Sequence, residues 1–174
     1  PLRLPSPPVV EWSEVMMVLQ LASEVVWASL KQELFAVLGM VTDKGEARTV
    51  GVVYIVHDHK LYIVTGKDTW KARHMAQNAH VSVTVPIAKR IPFLFWIKIP
   101  AATITFSGLA TVQGADCVSK DILKSLLRTE NPGDFADMCV IEIQPTGDFV
   151  TYGIGVPLMS MRTPEKARGR APVA

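Results

Sequence analysis

Between Val64 and Met75 the chain reads VTGKDTWKARHM, which sets the hydroxyls of Thr65 and Thr69 among the cations Lys67, Lys71 and Arg73. The group follows a β-branched apolar run and precedes a helix-forming segment, and the chemistry that suits it is holding an anion. A helix start offers unpaired N–H groups and a partial positive charge, and a hydroxyl and an ammonium in the first turn complete a phosphate shell. Thr65, Thr69 and Lys71 are spaced for that role. An ordinary helix start accounts for the same residues on chemistry alone: Thr69 as the N-cap, Asp68 opposing an anion, Lys67 and Arg73 as a solvated face.

Other reactive types are less organised. His57 and His59 flank Asp58, an H-x-H pair that lacks a third and fourth ligand nearby and reads as a solvated turn. Cys117 and Cys139 have neither zinc-knuckle nor redox-pair spacing and read as two reduced, buried thiols of a cytosolic protein. Glu142 sits in the apolar run VIEIQ, where alternation turns it to solvent. No Ser-His-Asp or Cys-His set is supported.

The elements that must position these groups follow from periodicity. A proline-rich arm, Pro1 to Pro8, leads into a helix expected from about Glu11 to Glu33, with a cap at Ser13 and a broad apolar face packed on a sheet. LFAVLGMVT, the turn DKGE and ARTVGVVYIV form a hairpin, and the turn HDHK returns the chain as LYIVT, giving an antiparallel meander. A short helix spans roughly Asp68 to Gln77. HVSVTV is a strand ending at Pro86, and ATITFSGLATVQG is a long strand with a bulge or bend at Gly108. ADCVSKDILKSLLRTE is an amphipathic helix, DMCVIEIQP and DFVTYGIGV are strands, and a basic, partly disordered tail begins at Met161. Six or seven antiparallel strands with edge helices predict a mainly β fold, a small barrel.

The chain has 174 residues, 49% of them hydrophobic, enough for one domain with a sizeable core. We divide it into an arm and helix (1–33), a barrel with inserted helices (34–155) and a basic tail (156–174). A net charge of +2 from 18 basic and 16 acidic residues spread along the chain does not favour nucleic acid as a partner. The N-terminal prolines and early glutamate do not make a secretory signal. IPFLFWIKIPAATITF is broken by Pro92, Lys98 and Pro100 and falls short of the ~20 apolar residues of a spanning helix. No membrane partner and a cytoplasmic location are therefore expected. The aromatic residues of PFLFWIKIP suit a dimer interface or a lid over a pocket, and Phe95→Asp or Trp96→Asp is expected to dissociate or unfold a dimer.

Taken as one unit, ARTVGVVYIVHDHKLYIVTGKDTWKARHMAQNAHVSVTV resembles the pyridoxamine 5'-phosphate oxidase-like family of FMN-binding split barrels. The resemblance runs over roughly Leu34 to Gly114 as an order of elements. In that family an arginine on the second strand, a threonine ending the third and a Ser/Thr-x-Lys opening the next helix hold the flavin phosphate. Those places are taken here by Arg48, Thr65 and Thr69-Trp70-Lys71, with Asn78 in the following turn. The resemblance implies an antiparallel split β-barrel and a homodimer whose cofactor groove lies at the subunit interface. It also implies a flavin ring along the second strand, with Arg48, Thr49, Val50 and Val53 beside it and Val64 near the phosphate end. Small Gly51 would let the ring approach closely.

The departures are specific. Val53 stands where the true oxidases carry a second lysine, Trp70 where they carry an arginine, and Thr103 where a glutamine reaches the flavin. The C-terminal tryptophan and arginine that bind pyridoxal phosphate are absent, so oxidation of pyridoxamine phosphate is not expected. The resemblance implies instead an FMN-dependent oxidoreductase acting on a small molecule, with no catalytic side chain of its own; the alternative is a non-catalytic protein that binds or senses a flavin, a deazaflavin or haem. His74 and His80 keep the haem alternative open, because an axial histidine would be required. The cations of the tail, Arg162, Lys166, Arg168 and Arg170, read as a solvated end; the alternative is a tail that crosses the dimer and places an arginine at the cofactor or substrate.

Overall fold

The computed structural model describes residues 18–88, 101–127 and 136–173. The proline arm, the cap at Ser13 and the apolar loop with Phe95 and Trp96 lie outside them. The described chain forms one sheet of nine strands, with α1 (Ser23–Gln32), α2 (Trp70–Gln77), α3 (Lys120–Leu127) and α4 (Pro164–Ala167) around it. Its strands are β1 (Leu19–Gln20), β2 (Phe35–Val41), β3 (Ala47–Val53), β4 (Ile55–His57), β5 (Lys60–Gly66), β6 (His80–Ile87), β7 (Ala102–Gly114), β8 (Met138–Tyr152) and β9 (Arg168–Pro172). The order is β1-β9-β8-β7-β6-β2-β3, with β5 joining β8 to β4. The sheet stays open because, among the described residues, β3 pairs only with β2 and β4 only with β5. This is the mainly β, split-barrel architecture anticipated for the chain.

Alternation places the core. Ala36, Leu38 and Met40 of β2, Val81, Val83 and Val85 of β6, and Ala102, Ile104 and Phe106 of β7 turn inward and are buried. α1 closes this core with Val26, Trp27 and Leu30, and the Tyr54 hydroxyl donates to the Leu30 carbonyl at 2.9 Å. Strand β5 breaks the alternation, with Leu61, Tyr62 and Ile63 all buried. Its second face is covered: Tyr62 and Val140 pack with Ile122 and Leu123 of α3. A strand buried on both sides reads as a continuous apolar run.

Several features differ from the sequence-based expectation. Residues 18–22 are not helical: Leu19 and Gln20 pair in parallel with Gly169 and Arg170, and α1 starts only at Ser23. The backbone breaks at Tyr54, dividing the second expected strand into β3 and β4. β6 runs through Pro86 to Ile87, because beyond Thr84 its only neighbour among the described residues is β7 and a proline without an N–H is tolerated beside an open edge. β8 is a single strand through Pro145, and the irregularity of β7 falls between Thr105 and Ser107. The basic tail from Met161 is no free tail: Met161 is buried, Arg168–Pro172 pairs with β8, and the Arg170 guanidinium stands 3.7 Å from Asp148. Alternating Gly169 and Ala171 face inward, which lets a segment rich in cations add a strand. Of the cysteines, both are free, Cys139 is buried, and Cys117 is exposed where burial was expected.

Candidate functional site

Helix α2 begins where β5 ends. Thr69 is its N-cap, with extended backbone; its hydroxyl accepts from the Ala72 N–H at 3.4 Å and donates to the Gly66 carbonyl at 2.9 Å. The Thr65 hydroxyl lies 3.3 Å from that of Thr69. Ala72 and Met75 anchor the helix in the interior, which leaves Lys71 half-buried at its flank. No carboxylate lies within ion-pair distance of Lys67, Lys71 or Arg73 among the described residues.

Lys71 stands over a groove of about 270 Å3. One wall is the end of β3 and the break after it, Gly51 to Ile55; another is Ile63 and Val64 of β5; Leu34, and Ser125 and Leu126 of α3, complete it. Because β3 ends the strand order, one side of its backbone has no strand partner among the described residues. Gly51 is tightly approached: a Cβ there would lie 2.8 Å from Cε2 of Phe35. The space that a missing side chain leaves is taken by that ring, itself 48% exposed.

The structure thus brings Val53, Val64 and Lys71 to one groove, with Thr65 and Thr69 adjoining it. It sets the others apart. Arg48 and Thr49 line a different hollow of about 330 Å3 with His80, Ser82, Ser107 and Gly108. Arg48 lies five residues before Val53, on the order of 16 Å along an extended strand, and its guanidinium pairs with Glu46 at 2.9 Å. Val50 packs against the core. Thr103 lies in β7 between Pro86 and Tyr152, outside both hollows. Trp70 is 42% exposed and meets His74 edge-on at 5.8 Å.

Sequence reasoning missed Tyr54 and the α3 wall. α3 was legible as amphipathic, but its packing over Tyr62 carries Ser125 and Leu126 to the groove, and nothing in its own pattern names that target. The histidine readings resolve locally. Asp58 and His59 take positive φ in the tight β4–β5 turn, the His57 Nδ1 is 3.1 Å from Asp58, and His59 lies edge-on to Trp27. No group of residues able to hold a metal ion is found among the described residues. Glu142 does not simply face water: it receives Lys60 at 2.6 Å across β5 and β8. Among the described residues no helix is long and apolar enough to cross a membrane.

Comparison with solved structures defines the class. The fold is similar to that of a Listeria innocua protein assigned as a pyridoxamine 5'-phosphate oxidase, with a TM-score of 0.56 at 22% identity over 71% of this chain and 92% of that one. It is also similar to an F420 reductase, with a TM-score of 0.51 at 22% identity over 70% and 93%. A haem-binding protein from Mycobacterium smegmatis gives 0.58 at 13% identity over 87% of this chain and 56% of the other. The chain therefore has the fold of the pyridoxamine 5'-phosphate oxidase-like split barrels. No protein-family model matches the sequence, and no curated protein matches it.

Proposed function

We propose that the chain binds a flavin nucleotide through its phosphate, FMN being the simplest ligand of that class. As an oxidoreductase it would pass hydride or electrons between a reduced nicotinamide or other donor and a small acceptor. The observation that carries this reading is the cluster of Thr65, Thr69 and Lys71 beside a groove that runs along the open edge of β3. The residues fit the group: two hydroxyls, a half-buried ammonium and the first N–H groups of α2 suit a phosphate, and apolar walls with free backbone groups suit a ring that carries heteroatoms on one edge. The flavin would supply the redox chemistry. The chain would bind, orient and shield it, with Val53, Ile63 and Leu126 excluding water and Lys71 neutralising the phosphate.

The reading includes a homodimer. On the outer face of β2 and β3, Phe35 and Val37 stand opposite Val53 and Gly51 and Val41 stands opposite Ala47, and Val53 is 63% exposed. An apolar sheet face of this kind calls for a partner. A second copy seated on it would bring a groove wall from each subunit and place the Arg48 hollow at the interface.

A second reading, haem, is supported by the similarity to the haem-binding protein and by His74, whose Nδ1 is buried with no hydrogen-bond partner among the described residues. A deazaflavin is the third ligand of similar shape, supported by the F420 reductase. Titration with FMN and with riboflavin, followed by absorbance and fluorescence, tests the proposal. Tight FMN binding with much weaker riboflavin binding supports the phosphate site; binding of neither refutes the flavin reading, and a Soret band on adding haem would replace it.

A further inference from the structure

A hollow of about 320 Å3 lies at the start of α1, and it shares no lining residue with the groove beside Lys71. Ser23, Glu24 and Trp27 of α1, His59 of the β4–β5 turn, Gln144 of β8 and Val173 after β9 surround it. Among the described residues its wall holds one carboxylate and no lysine or arginine, a charge opposite to that of the phosphate cluster. We infer that this hollow is a binding site for a small organic cation, a primary ammonium on an apolar body. The inference stands apart from the flavin reading, which places no residue here.

The floor of the hollow is fixed. The Val173 carbonyl accepts from the Trp27 indole N–H at 3.2 Å and from the Ser23 hydroxyl at 3.4 Å, and the indole meets Phe149 edge-on at 5.1 Å. The polar heads around it are uncommitted: the side chains of Glu24, His59 and Gln144 form no hydrogen bond or ion pair among the described residues. Glu24 and His59 thus border one hollow without pairing with each other, which leaves the space between them to a donor. A carboxylate, an amide oxygen and a neutral imidazole nitrogen are three acceptors, and an ammonium carries three N–H donors and no acceptor. The indole and Val173 give the apolar body of the ligand its contact, and aromatic rings favour a neighbouring cation. His59 adds an independent observation. Asp58 and His59 take φ of 46° and 56° in a tight hairpin turn whose second position is usually glycine. A side chain there strains the backbone, and strain of this kind gathers at ligand sites; the imidazole it carries is held edge-on to Trp27 at 4.9 Å.

The test is calorimetric titration of the full chain with benzylammonium, with benzyl alcohol as its neutral counterpart and benzyltrimethylammonium as a cation without N–H donors. Benzylammonium is expected to bind the wild type at least about tenfold more tightly than either. Glu24→Gln should erase its advantage over the alcohol. His59→Gly, which suits the turn and removes one acceptor, should weaken benzylammonium by about threefold. Absence of benzylammonium binding, equal affinity for benzylammonium and benzyl alcohol, or an undiminished preference in Glu24→Gln overturns the site. Tighter binding of the trimethylated cation overturns its assignment to a primary ammonium.

Discussion

The hydroxyl of Thr65, at the end of β5, lies 3.3 Å from the hydroxyl of Thr69, the residue that caps α2. The contact joins a strand end to a helix start. It turns two residues that have separate structural duties into one polar surface beside Lys71.

Replacing Lys71 tests the anion role of that surface. Lys71→Ala is expected to weaken FMN binding by about 1.5–3 kcal/mol, the loss of a charge-assisted bond to phosphate. Riboflavin affinity should stay unchanged, since it has no phosphate. A variant that binds FMN as the wild type does would remove Lys71 from the site.

Thr69 has a structural duty that is separable from binding. Thr69→Ala removes the cap of α2 and should cost about 1 kcal/mol in urea denaturation, whereas Thr69→Ser keeps the accepting oxygen and should cost much less. Equal destabilisation by both substitutions would show that the methyl group, not the cap, matters.

Gly108 tests the packing of the sheet. A Cβ there would lie 2.8 Å from Cγ2 of Ile143 and 3.0 Å from the backbone carbonyl of Gln144, and the carbonyl cannot turn aside as a side chain can. Gly108→Ala should destabilise by about 1–3 kcal/mol, as overpacking does. Stability equal to the wild type in thermal melting would mean that β7 and β8 part without cost.

Alkaline pH should unfold the protein through its buried tyrosines. Burial, then the Glu142 carboxylate, pushes the Tyr62 hydroxyl up to about 12, and burial, then Glu33, raises Tyr54 further. A proton held more tightly in the folded state stabilises fully below the unfolded value of about 10, and that stability is lost as pH rises through the folded value. The Tm should therefore fall from about pH 10 to 12, and less steeply in Tyr62→Phe. A flat Tm over that range would contradict this.

The dimer is tested at Val53. Val53→Glu puts a charge in the apolar face of β2 and β3 without touching the core, so the monomer should stay folded by circular dichroism while light scattering shows half the wild-type mass. A wild type that is itself monomeric would refute the dimer.

The sequence by itself determined the local elements whose pattern is independent of their neighbours: the alternation of β2 and β6, the cap at Thr69, and the tight turn at Asp58-His59. It also placed Thr65, Thr69 and Lys71 together, because a strand end and the helix it feeds are linked by only a few residues. Tertiary structure decided what depends on distant partners. β1 takes strand form against β9 across some 150 positions of chain, and β9 does so against β8 as well as β1, and neither segment signals that alone. Arg48 and Lys71 are both cations on the expected motif, yet pairing of β3 with β2 in one register carries Arg48 to another hollow. The α3 wall of the groove likewise follows from packing over Tyr62. Side-chain period fixes the face a residue takes, whereas its place along the sheet is fixed by long-range pairing, and the composition of the site depends on both.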